Sequence, residues 1–146
     1  MKRASLVFVF AAALTLATTA ALAQESVTVT LHPRALLDDG GQSLQLTVDM
    51  SCEDLGTEDF QQGLAFATQE RGSLSMVGEG GVDGTVICDG VTRTHTATVS
   101  LFEGSKFRGG PAVATVAFLV CFIDDNGSQV CGQDNDTQPV LVAGRA

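Results

Sequence analysis

Four cysteines, Cys52, Cys88, Cys121 and Cys131, are the residues whose type and spacing constrain the chemistry of this 146-residue chain most tightly. An even count points to two disulfides formed in an oxidising compartment. Three pairings are possible. The favoured one joins Cys121 to Cys131 across a short hairpin and Cys52 to Cys88 between two strand-like segments. No C-x-x-C spacing occurs, and only His32 and His95 could complete a zinc set, so zinc is disfavoured. With every cysteine paired, none remains as a nucleophile.

The carboxylates form two groups. Glu53, Asp54, Glu58 and Asp59 lie in a polar link where nothing suggests the burial that raises a catalytic pKa, so they read as a solvated loop. Asp124 and Asp125 precede the Asn126-Gly127 reversal, and Asp134 and Asp136 follow it. They make calcium the one cation worth considering, although the EF-hand spacing is not met and acidic turns are the commoner meaning. No G-x-S-x-G elbow, H-E-x-x-H pair or Walker loop is present. Two histidines and no tyrosine leave a thin acid-base inventory, so we expect neither an enzyme nor a cofactor. Trp and Tyr are both missing, which removes the usual stacking platforms and interface anchors. One loop stands apart: Lys106, Phe107 and Arg108, flanked by glycines, form the candidate contact loop.

Such residues need strands to position them. Ser43 to Cys52 alternates cleanly, with Leu44, Leu46, Val48, Met50 and Cys52 to one side. Ser26 to His32 alternates similarly until Pro33, which is expected to stop regular pairing. Thr92 to Phe102 places Ala97, Val99 and Leu101 inward under a threonine-rich outer face, with His95 as a satisfied structural residue on the inner or boundary side. Gly63 to Arg71 is ambiguous by composition and is assigned to strand by context, with Leu64, Phe66 and Thr68 alternating. Gly78-Glu79-Gly80-Gly81 reads as a flexible connector. Val82 to Asp89 reads as a strand carrying Cys88 inward. Ala112 to Ile123 is apolar enough for a central strand covered on both faces. A three-residue loop with Gly127 left-handed would pair Asp124 with Ser128 and set Cys121 opposite Cys131.

The first 23 residues have a charged start, an apolar run and the small-residue site Ala21-Leu22-Ala23, as in a secretory signal peptide. Residues 24–146 then form a single exported domain, extracellular or periplasmic, with no later segment long enough to insert in a membrane. Net charge is −9 for the whole chain. Losing Lys2 and Arg3 with the leader would make it still more negative, which disfavours nucleic acid and anionic lipid as partners.

The order Cys52, Gln69, Cys88-Asp89-Gly90 and Phe107-x-x-Gly110-x-Ala112 resembles small secreted Ig-like domains of unknown function from actinobacteria. The resemblance spans most of the exported part and implies an Ig-like fold without an assigned activity; Cys121 and Cys131 are an addition to its pattern. Together these readings lead to an all-β, antiparallel Ig-like β-sandwich of seven to nine strands with two disulfides. Its expected role is a binding or interaction module for an unknown protein or small ligand. The alternatives are an inhibitor of a secreted hydrolase or protease, and a small-ligand carrier with a cleft between the sheets.

Overall fold

A computed structural model describes residues 26–38 and 40–144; the expected signal peptide lies outside them. Seven strands follow the apolar alternation: β1 (Val27–Leu37), β2 (Ser43–Cys52), β3 (Thr57–Arg71), β4 (Leu74–Val82), β5 (Arg93–Glu103), β6 (Gly110–Ile123) and β7 (Gln129–Ala143). They hydrogen-bond in the order β1-β2-β5-β4-β3-β6-β7, and β7 returns to β1. Two stacked sheets were expected from the sequence, but the ladder runs without interruption around a closed barrel. All neighbours are antiparallel except β1 and β7, whose short parallel ladder joins Arg34–Leu36 to Leu141–Ala143.

Closure depends on two local departures from regular strand. Pro33 does not end β1. It sits exposed within a register shift between Leu31 and Ala35, after which the strand gains its parallel neighbour. Before the shift, carboxylates take over where the β1–β7 ladder is missing. Val29 donates its N–H to Asp134 Oδ2 and Leu31 to Asp136 Oδ2, each at 2.8 Å, and Gln138 Nε2 donates to the Leu31 carbonyl.

The second departure is β4. Its Gly78, Gly80 and Gly81 are not a connector but the interior of a strand at a crowded corner of the barrel. A Cβ on Gly80 would lie 1.8 Å from the Thr98 carbonyl oxygen, and one on Gly81 would lie 2.8 Å from that of Gly63. Glycine is required here by close backbone approach.

The interior is filled by side chains, among them Leu44, Leu46, Val48, Met50, Val99, Phe107, Phe118 and Phe122. Small residues complement these large ones. On β3 it is Ala65, Ala67 and Gln69 that point in, which turns Leu64, Phe66 and Thr68 outward. Strand β6 likewise buries Ala112, Ala114, Val116, Phe118, Val120 and Phe122 but leaves Val113 exposed and Thr115, Ala117 and Leu119 half-buried. It is therefore covered on one face only, because a closed barrel has no second layer outside it.

Both disulfides link the favoured pairs, Cys52 with Cys88 and Cys121 with Cys131. The hairpin follows the expected register: Asp124 N–H donates to Ser128 O at 2.9 Å, Gly127 has φ +77°, and Cys121 faces Cys131. Cys88, however, lies in irregular chain between β4 and β5. The expected strand does not form there: the β4–β5 ladder ends at Val82 and Ala97, with one further bond from Asp83 N–H to Thr96 O. Instead, the Gln61 side chain pairs with the backbone of Val86, accepting from its N–H at 2.9 Å and donating to its carbonyl at 3.3 Å.

Candidate functional site

The β5–β6 loop, Gly104 to Gly109, lies at one end of the barrel and is held by buried groups rather than left to solvent. Phe107 was expected to make contacts with a partner, but it is only 1% exposed and forms part of the core. Its ring enters space that a side chain at Gly78 would occupy, with Cζ 2.8 Å from the position of a Cβ there. Its N–H donates to Gly41 O at 2.8 Å. Gly41, at φ +75°, has no room for a side chain: its Cβ would come within 2.5 Å of the Phe107 carbonyl oxygen.

Gln69 provides the second anchor. Inward on β3 and 1% exposed, it accepts from Arg108 N–H at 2.9 Å and donates to Arg108 O at 2.7 Å and Pro111 O at 3.3 Å. The buried amide thus satisfies three backbone groups that would otherwise have to face water. With Phe107 and the Arg108 backbone fixed, the exposed side chains of Lys106 and Arg108 project from a defined base.

Arg71, at the end of β3, joins them and donates to Gly109 O at 3.4 Å. The three cations line a cavity of ≈ 280 Å³ with Leu74, Met76 and Ser105, and no carboxylate lines it. In a chain with 17 acidic and 8 basic residues, this concentration of positive charge runs against the overall balance. It can attract anions and donate hydrogen bonds to them.

The remaining candidate residues are dispersed. Asp124 caps its own hairpin, with Oδ1 accepting from Asn126 N–H at 2.9 Å and Ser128 N–H at 2.8 Å. Asp125 is exposed. Asp134 and Asp136 face β1, about 20 Å further along β7 at the usual rise per residue. The four aspartates are thus not brought together, and no group of three or more His, Cys, Asp or Glu side chains suited to a metal occurs among the described residues. The acidic link is shorter than expected, because Thr57 to Asp59 already belong to β3. Its carboxylates are exposed. Asp54 accepts from Gly56 N–H, Glu58 from Gln61 and Asp59 from Gln129.

His32 lies 2.9 Å from Asp49 Oδ2, and Thr94 Oγ1 donates to Asp49 Oδ1 at 2.6 Å. The carboxylate sits in the middle of this trio, so the imidazole does not contact the hydroxyl and cannot activate it as a base in the manner of a hydrolase triad. These bonds, with Thr94 first, hold the Asp49 carboxyl below the usual carboxylate range. His95 differs from expectation. Its Nε2 is buried without a hydrogen-bond partner among the described residues, so it is structural but unsatisfied.

The sequence points to the loop and its two cations but not to Arg71, and it gives neither Phe107 nor Gln69 its anchoring role. The signal for Gln69 was its parity with Ala65 and Ala67, since a buried amide at an inward strand position must find backbone to bond.

No protein-family model and no curated protein matches the chain. Among solved structures, AggA, the major subunit of aggregative adherence fimbriae type I from Escherichia coli, is similar with a TM-score of 0.42 and 12% identity. The match covers 82% of this chain and 94% of that one, a likeness too distant to carry residues or function across.

Proposed function

We propose that the chain is an exported, non-enzymatic interaction module that presents Lys106 and Arg108, with Arg71 beside them, to an acidic surface on a partner protein. The observation that carries this reading is the double anchoring of the loop by Phe107 and Gln69. Ordering a loop before binding reduces the entropy lost on association. Export is supported by the leader-like first 23 residues and by two disulfides.

The strand order supports an Ig-like ancestry for the barrel. The series β1-β2-β5-β4 and β3-β6-β7 correspond to the two sheets of a constant-type Ig domain, with β3–β4 and β7–β1 as additional closing pairs. A ligand carrier has less support, because the interior is filled by side chains.

The test is quantitative capture from the native secretome with wild type and a Lys106→Glu/Arg108→Glu double variant. The reading expects a partner enriched by wild type, released by added salt and lost with the double variant. Equal enrichment by both proteins would remove the loop from the contact.

A protease inhibitor is the second reading, favoured by basic side chains on a rigid exposed loop. Titration into trypsin-like and subtilisin-like proteases tests it. Stoichiometric inhibition that survives Lys106→Ala and Arg108→Ala would show that the loop is not the inhibitory element.

A further inference from the structure

The basic cavity has a wall that the β5–β6 loop does not supply. Arg71 and Leu74 face each other across the turn joining β3 to β4. The β4–β5 ladder starts only at Val77, opposite Glu103, so Leu74 to Met76 extend beyond the end of β5. Gly104 lies against Ser75 and Met76, and the cavity of ≈ 280 Å³ opens between this end of β4 and the rest of the loop. Its lining is of two kinds. Arg71, Lys106 and Arg108 bring charge, whereas Met76 is buried and Leu74, at 63%, is the most exposed leucine among the described residues. Glu70 and Glu103 occupy neighbouring ladder positions, opposite Ser75 and Val77, but line no part of the cavity.

We propose that this cavity takes a carboxylate side chain together with an apolar side chain next to it in one short segment of a partner protein, a proposal that rests on the acidic-partner reading above. Charge complementarity selects the carboxylate. Charges beyond about 8 Å are screened at physiological ionic strength, so three nearby cations, rather than the net −9, decide what an approaching anion meets. The planar forks of Arg71 and Arg108 match a carboxylate, and only one Arg71 nitrogen is engaged internally, by Gly109 O at 3.4 Å. Size selects a piece of a larger molecule, because small-ligand pockets start at about 300 Å³. Leu74 selects the apolar neighbour. A bare anion would leave this leucine in water, whereas an apolar side chain covers it, a contribution that salt does not screen. Charge draws in any acidic segment; the apolar contact discriminates among them.

NMR titration of the isotope-labelled, disulfide-intact chain with two capped peptides, Gly-Asp-Leu-Asp-Gly and Gly-Asp-Ser-Asp-Gly, tests this. The leucine peptide should shift the amides of Leu74, Ser105 and Arg108. It should bind about threefold to tenfold more tightly than the serine peptide, as partial burial of a leucine side chain implies. Leu74→Ser should erase that preference, and Arg71→Gln should weaken binding of both peptides; both substitutions fall at exposed positions and leave the core intact. Thr96→Ala, exposed on β5 away from the cavity, should change neither. Equal binding of the two peptides, or no shift at these amides with tens of millimolar peptide, would overturn the proposal. The loop contact is judged separately, by whether the Lys106→Glu/Arg108→Glu variant still captures the secretome partner. Heparin, a sulfated polysaccharide, would also overturn the proposal if it bound at these amides more tightly than either peptide and Leu74→Ser left its affinity unchanged.

Discussion

At the residue scale, Gln69 makes the most consequential contacts in the molecule, because one buried amide completes the hydrogen bonding of Arg108 and Pro111. Gln69→Leu keeps the volume but leaves those backbone groups unpaired, and should cost about 2 to 4 kcal/mol in a denaturant melt. Charged residues make a smaller, pH-dependent contribution. Two bonds from Arg93, with help from Val91 N–H, lower the Asp89 carboxyl to about 2. Because the folded-state pKa is depressed, this stabilisation is present above the ordinary carboxylate range and is lost as pH falls toward 2. Asp38 and Asp49 are shifted in the same direction. Thermal melts below about pH 4 should therefore show declining stability, with a shallower decline for Asp89→Asn.

At the scale of the elements, β2 and the β6–β7 hairpin were legible in the sequence, whereas β4 was not. Alternation in β2 needs only local reading, and the Asn126-Gly127 loop fixes its own register once the cysteines are required to meet. Strand β4 has glycines where a strand usually has side chains, and the reason lies on other strands: the carbonyls of Thr98 and Gly63 occupy that space. The outward turn of Leu64 and Phe66 was hidden for a similar reason, since size alone suggests burial but the large side chains of the core come mostly from elsewhere. Gly80→Ala should be destabilising by roughly 3 kcal/mol, because the clash is with backbone that cannot rotate away. Gly109→Ala, whose Cβ would meet only Val142 O at 3.6 Å, should stay within about 0.5 kcal/mol of wild type in the same melt.

For the molecule as a whole, closure of the barrel rests on side chains as well as on strand pairing. The first half of β1 is joined to β7 through Asp134, Asp136 and Gln138, although the acidic character of the two aspartates suggested a turn or a calcium site. Asp136→Ala should cost about 1.5 to 3 kcal/mol, as expected for a hydrogen bond to a charged acceptor, and Asp136→Asn should cost less because its amide oxygen can still accept. Addition of calcium should leave the melting temperature of the wild type unchanged. The topology also gives the molecule separate surfaces: a basic loop at one end, a polar hydroxyl-rich side and a side with Leu64, Phe66 and Val113 exposed.

Buried anchors hold the basic loop in one conformation, and the decisive measurement is amide hydrogen exchange at Phe107 and Arg108. Both N–H groups donate internally, to Gly41 O and Gln69 Oε1, so both should exchange slowly, like amides of neighbouring strands. In Gln69→Leu, Arg108 should become fast while Val48 and Val116 in the core stay protected. Exchange of Arg108 in the wild type at the rate of exposed, irregular chain such as Gly84 would contradict the claim.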